Sequence, residues 1–338
     1  MKKNIIYGLA AAAVFCVIAA SILIKKGFIL TRPPESLTYT RTLMGTTVEL
    51  TLWDNGADLD QAAEAGFTEI KRLEHVLSSY DPDSDASRVT SNAGNPVRVS
   101  HEMLGVTTAA VDAAVSSCGA FDPTVGALAR LWGYSGEKGT VPSAKDVKKL
   151  LPLVDYTKIT IDGAMQTIML GKKDMSLNLG GVAKGYIVGR TAEVLKTRGV
   201  RRAIVKAGGD MFVFQDKRDR RPFIIGIQHP REKRLLGEVY VDEGAVSSSG
   251  DYERFFTKGG VRYHHILDPA TGFPADKSIA VTIVAKDPAR ADALSTAVFV
   301  MGPKEGMQLI EALDGVEGVI VDAKGKVHAS KGFKGKIF

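Results

Sequence analysis

The chain has 338 residues, 45% of them hydrophobic and 24% charged, with a formal net charge of +6. That composition describes a globular protein with a sizeable core and excludes a disordered chain. Its basic residues fall in short scattered clusters without interleaved aromatic rings. This argues against a nucleic-acid partner and leaves an anionic small ligand or a membrane surface to account for the charge.

Met1-Lys2-Lys3 precedes an almost unbroken apolar run over 5–24, closed by Lys25-Lys26. About 20 apolar residues suffice to cross a bilayer as a helix. Residues 1–26 are therefore expected to be a membrane signal-anchor, with a cleaved signal peptide as the alternative that Ala19-Ala20-Ser21 leaves open. The segment resembles a bacterial signal, which implies export, with the rest of the chain on the periplasmic side of the inner membrane. Residues 27–37, with Pro33-Pro34, read as a linker. The remainder, 38–338, reads as the soluble domain. Cys118 is the only cysteine outside the apolar run, so that domain has no internal disulfide.

The alternation over 38–53 predicts a strand, and 59–78 an amphipathic helix. The stretch 78–94 reads as a polar surface loop after Tyr80. Ser100 is placed to cap a second helix that stops at Gly119, and Asp122-Pro123 to open a third, with Asp as the cap and Pro in the first turn. Short strands are expected at 158–161, 167–170 and 175–179, then a helix over 186–197. From 202 to 285 strands dominate, including a hairpin at Lys258-Gly259-Gly260. Asp287-Pro288 opens a last helix, ending near Gly302. Strands and helices mix without strict alternation, so the fold class is α+β, with mixed or antiparallel sheets and packed helices, rather than a doubly wound sheet.

Three stretches carry chemistry. "NLGGVAKGY" (178–186) lies between a strand and a helix, where backbone N–H groups bind anions. It matches neither standard phosphate fingerprint, and a tight turn with a surface lysine is the plain alternative. In "DPARADALSTAVFVMG" (287–302), Asp292, Ser295 and Thr296 fall at i, i+3 and i+4 and share one helix face among apolar neighbours. A carboxylate there needs a partner or a metal, and oxygen donors suit a hard cation such as Mg²⁺. In "YHHILDPATGFP" (263–274), His264 and His265 point to opposite faces of a strand, one as a candidate base and the other simply exposed.

Six segments occur together in one order: "LMGTTVEL", "SSYDPDSDASRVTSN", "GAFDPTVGALARLWG", "LNLGGVAKGY", "HHILDPATGFPA" and "ADALSTAVFVMG". Over about 38–325 they resemble the ApbE family of FAD:protein FMN transferases. The resemblance implies a T-fold-like α+β domain. It also implies Mg²⁺-dependent cleavage of FAD at its pyrophosphate, release of AMP, and attachment of FMN to a threonine hydroxyl of an acceptor flavoprotein. It further implies FAD contacts from Met44, Tyr80, Ala120, Phe121, Asp122, Asn178, Lys184 and Leu267. By the same resemblance, Mg²⁺ is held by the Gly181 carbonyl, Asp292, Ser295 and Thr296, and His265 is the base. Some relatives carry a carboxylate in place of Ser295, and some an Asp in place of Asn178. An FAD pyrophosphatase and a non-catalytic FAD-binding protein are the competing readings.

Overall fold

The computed structural model describes residues 36–53, 56–134, 139–216 and 221–338; the expected membrane segment at 1–26 and the linker up to residue 35 lie outside them. Leu37–Phe338 form one unit. Among the described residues no helix is long and apolar enough to cross a membrane.

The chain opens not with one strand over 38–53 but with two, β1 (Ser36–Leu43) and β2 (Thr46–Trp53), which are neighbours in one sheet. Met44 and Gly45 between them both have positive φ, 54° and 66°. That is the backbone of a two-residue hairpin turn. Helix α1 (Leu59–Leu77) follows, capped by Asp58. The polar stretch after it holds a short helix, α2 (Asp85–Ser91), rather than a loop, because the Ser84 hydroxyl caps it. Asp85 then accepts the Ser100 N–H at 2.7 Å. After β3 (Val97–Arg98), α3 (His101–Ser116) starts on the expected Ser100 cap.

Asp122-Pro123 does not start a helix; α4 (Gly126–Trp132) begins three residues later, with Val125 in the cap position. The Asp122 carboxylate is instead taken by the Thr124 N–H and hydroxyl and by the distant Tyr156 N–H at 3.0 Å. Helix α5 (Ala144–Leu150) precedes β4 (Ile159–Asp162) and β5 (Thr167–Leu170). Residues 175–179 form no strand, only a single parallel bridge between Ser176 and Val125. The expected helix over 186–197 starts earlier, as α6 (Ala183–Thr197).

Strands β6 (Ala203–Ala207), β7 (Asp210–Phe214), β8 (Phe223–Gln228), β9 (Leu235–Val241) and β10 (Gly244–Gly250) follow. The hairpin β11 (Phe255–Lys258) and β12 (Val261–His264) turns at Gly259-Gly260, both at positive φ, as the sequence predicts. After β13 (Ser278–Ala285), α7 (Pro288–Ala312) is capped by Asp287. The backbone breaks at Gly302 (φ 81°), but the helix resumes at Pro303, since proline suits a first turn. β14 (Glu317–Asp322), β15 (Val327–Ala329) and β16 (Gly335–Ile337) close the chain.

The main sheet has the order β1-β2-β6-β7-β10-β13-β14-β15, and from β2 onward its pairings are antiparallel. The α+β class holds. One face carries the helices: Val48, Leu50, Val205 and Ala207 pack with Phe67, Ile70, Val188 and Leu195, and Ala245 and Ile283 with Leu294, Val298 and Phe299. Each large apolar side chain buried this way contributes roughly 1.5–3 kcal/mol. A three-stranded sheet, β16-β9-β8, covers part of the other face through Phe223, Ile225 and Val239 against Val213 and Val246. β10 thus feeds both sides: Ser249 bonds Ser295 on α7, while Ser248 turns away to Thr282.

Helices α6 and α7 cross through glycine. A Cβ on Gly185 would lie 2.1 Å from the Pro288 carbonyl oxygen and 2.7 Å from the Asp292 Cβ. No side chain fits there. Gly185→Ala is expected to cost about 1–3 kcal/mol by overpacking, read as a lowered urea midpoint. Gly163→Ala, where a Cβ meets nothing within 4 Å, is the control and should stay within about 0.5 kcal/mol of the parent.

Candidate active site

The crossing of α6 and α7 brings the glycine loop onto the polar stripe of the last helix. The Gly185 N–H donates to Asp292 Oδ2 at 2.9 Å. A Cβ on Gly181 would sit 2.9 Å from Thr296 Oγ1 and 3.2 Å from the Phe121 ring. Gly181, Phe121, Asp292 and Thr296 therefore meet, as the i, i+4 spacing on one side and the glycines on the other require. Asn178 shapes the loop: its side-chain oxygen accepts the Gly180 N–H at 2.9 Å, and its own N–H donates to the Pro123 carbonyl at 2.7 Å. Ser295 is committed locally, donating to the Asp292 carbonyl at 2.8 Å and sharing a hydrogen bond with Ser249 at 2.7 Å.

Asp292 is 3% exposed. Burial, and then the nearby Asp210 carboxylate, raise its pKa well above the usual range, against the opposing pull of Lys184 and the Gly185 N–H. Lys184 forms an ion pair with Asp210. Burial works against its charge, but Asp210 and Asp292 outweigh that and hold its ammonium firmly protonated. Asp210 is 1% exposed, and its second oxygen has no hydrogen-bond partner. Directly across the strand pair stands Ser247, whose buried hydroxyl also has none. Leaving such a group unpaired costs about 1–3 kcal/mol.

The two histidines divide differently from expectation. His264 is not exposed but buried: its Nε2 donates to the Ala275 carbonyl at 2.8 Å, its Nδ1 accepts the Ile266 N–H, and its ring packs edge-on against Phe299. His265 is half-buried, with its Nδ1 3.2 Å from the Arg254 carbonyl. A carbonyl only accepts, so Nδ1 carries the proton and Nε2 keeps a lone pair. Crowding by protein, aided by the cations Arg254 and Lys184, pushes the His265 pKa down to about 4. The ring is thus neutral at pH 7 and able to take a proton.

The other sequence-derived residues surround this group at varying distance. Met44 sits in the β1–β2 turn, its N–H donating to Glu74 at 2.8 Å, and a Cβ on the neighbouring Gly45 would lie 3.3 Å from Arg254 Nη2. Tyr80 projects into solvent, 72% exposed, between α1 and α2. Ala120 is partly buried against the α7 core. The carboxylate of Asp122 is spent on its own loop, as described above. Leu267 packs with Leu128, Trp132 and Val147, beside the tight 268–272 turn. Asp210, Ser249 and Arg254 escaped the sequence reading. The double glycine before Asp210 was a usable signal; Arg254 offered none among 44 basic residues.

The ApbE family profile matches residues 44–320. The chain belongs to the ApbE family. Among ApbE relatives, the FAD:protein FMN transferase of Treponema pallidum is 33% identical, over 83% of this chain and 82% of its own length. That of Vibrio cholerae is 32% identical, over 93% of this chain and 96% of its own. The crystal structure of the ApbE protein from Thermotoga maritima superposes with a TM-score of 0.83 at 34% identity, covering 88% of this chain and 97% of the other. The fold described above is thus the ApbE fold.

Both histidines carry a pH signature. Unfolded histidine titrates near 6.5, whereas the folded values of His264 and His265 are lowered, the latter to about 4. Between those values the unfolded chain binds protons first, so stability falls as pH drops from about 6.5 toward 4. His265→Gln should lose less stability than the parent between pH 7 and pH 5, measured by urea unfolding at the two values.

Proposed function

We propose that this enzyme transfers the FMN moiety of FAD to a threonine hydroxyl of an acceptor protein, with AMP as the leaving group and Mg²⁺ required. The observation that carries this reading is the meeting of Gly181, Asp292 and Thr296, with a neutral histidine within reach of the Lys184 charge on the same loop. The donor set fits a hard cation: a buried carboxylate that burial strains, a hydroxyl at the next helical turn, and a glycine whose missing Cβ leaves room at that hydroxyl. Asp292, Thr296 and the Gly181 carbonyl would hold Mg²⁺, with Ser295 supporting from behind. Bound there, the ion supplies charge neutralisation at the pyrophosphate oxygens.

The chain's own residues do the rest. Lys184, anchored by Asp210, presents a cation at the end of the same loop. Phe121 walls the glycine loop, and Asn178 fixes its turn. His265 Nε2 takes the threonine proton as the hydroxyl oxygen bonds to the FMN phosphorus. The bond from that phosphorus to the bridging oxygen breaks, and AMP leaves with that oxygen. Positioning and charge compensation account for most of the rate in such transfers. The names of the relatives support FAD as the donor and a protein as the acceptor. The apolar run at 5–24 supports a membrane anchor, and its resemblance to a bacterial signal is what favours the periplasmic side of the inner membrane for the domain.

The test is incubation with FAD, Mg²⁺ and fragments of candidate acceptor proteins, followed by mass spectrometry. The expected result is a covalent FMN adduct on threonine with matching AMP; free FMN and AMP without any adduct would mark a pyrophosphatase. Chelation with EDTA should stop AMP release, and added Mg²⁺ should restore it. Asp292→Ala should lower turnover by about 100-fold or more, comparable to removing a major electrostatic element from an active site; unchanged Mg²⁺-dependent turnover would exclude Asp292 as a ligand.

A further inference from the structure

Lys184, the cation assigned to the pyrophosphate, is already neutralised. Its ammonium pairs with buried Asp210, and Asp292 lies close enough to act on it as well. With both carboxylates ionised, the group carries one surplus negative charge. The FAD pyrophosphate brings two more. A divalent cation offsets two of the three, and His265 adds none while neutral. One further positive charge is needed for the loaded site to close neutral in a partly desolvated setting, where an uncompensated charge is costly.

Arg254 is placed to supply it. Its carbonyl accepts both the backbone N–H of His265, at 3.1 Å, and the His265 Nδ1–H. Its guanidinium reaches back to the β1–β2 turn, where Nη2 lies 3.3 Å from the position of a Cβ on Gly45. Its field acts on both Lys184 and His265. The nearby acid Asp251 is engaged by Arg231 at 2.6 Å and Arg262 at 3.3 Å. Among the described residues the Arg254 guanidinium has no ion pair or hydrogen bond, and its side is open to solvent.

We propose that Arg254 is a phosphate clamp, gripping the FAD pyrophosphate on the side of the phosphoryl group that moves. The inference rests on the transferase reading above. As the threonine oxygen bonds to phosphorus and the bridging oxygen leaves with AMP, charge collects on the remaining oxygens of the moving group. A planar fork of N–H donors matches that geometry better than a lysine point charge. The contact of the same arginine with His265 ties the clamp to the base through one backbone carbonyl, so the two approach the phosphorus together.

The test compares the parent with Arg254→Lys and Arg254→Gln, with Mg²⁺ present. Binding of FAD and of riboflavin is followed by flavin fluorescence, and AMP release is measured in parallel. Arg254→Gln should reduce the preference for FAD over riboflavin by about tenfold or more and AMP release by about 100-fold, with riboflavin affinity unchanged. Arg254→Lys should recover part of the FAD preference, which loss of a purely structural side chain would not explain. An Arg254→Gln protein that keeps its FAD preference and AMP release within about twofold overturns the proposal. A parent that prefers FAD but releases no AMP removes the transferase reading, and the binding preference alone then decides Arg254. A parent with no preference for FAD overturns both.

Discussion

One hydrogen bond organises the candidate site: the Gly185 N–H donating to the carboxylate of Asp292. It ties the start of α6 to the first turns of α7, two helices separated in sequence by most of the sheet. It forms only because Gly185 and Gly189 let the helices touch, with Pro288 pressed against both. A carboxylate buried at that depth is costly alone. The molecule compensates it with a backbone N–H and the ammonium of Lys184, while Asp210, itself buried, holds that ammonium in place. The same arrangement leaves the carboxylate facing a glycine loop and a hydroxyl, so the contact that joins the helices also shapes the candidate site.

The adjacent histidines show how strand alternation distributes roles. His264 turns inward, spends both ring nitrogens on backbone groups and packs on Phe299. It fastens the segment after β12 to the core. His265 turns the other way and retains one ring nitrogen for chemistry. Two identical side chains in sequence are thus a fastener and, in the function proposed above, a base, separated by which face of the chain each occupies.

Elements written in local residues were legible. The Ser100 cap of α3, the Asp287-Pro288 opening of α7 and the Gly259-Gly260 hairpin each rest on a few neighbouring residues and appear as expected. Helical spacing picked out Asp292 and Thr296, and its place between strand and helix picked out the glycine loop; the structure brings them together. What stayed hidden depends on distant partners. Asp122-Pro123 looks like a helix start, yet the Tyr156 N–H draws the carboxylate into a loop junction instead. The β1–β2 turn passes as continuous strand because methionine rarely adopts positive φ, and the alternation runs through it. Asp210 and Arg254 gain meaning only when β7 and the segment after β10 arrive beside α6.

The run Ser247-Ser248-Ser249 in β10 has a consequence for how this fold can change over time. Ser249 faces α7, and Ser248 faces the opposite layer beside Thr282. Three like residues in a row disguise a strict division, because inserting or deleting one residue before them would exchange the two faces. Individual side chains there could drift and the helix-side loops could lengthen. A change in the number of residues ahead of the three serines is the costlier change, since register, more than composition, addresses each hydroxyl to its layer.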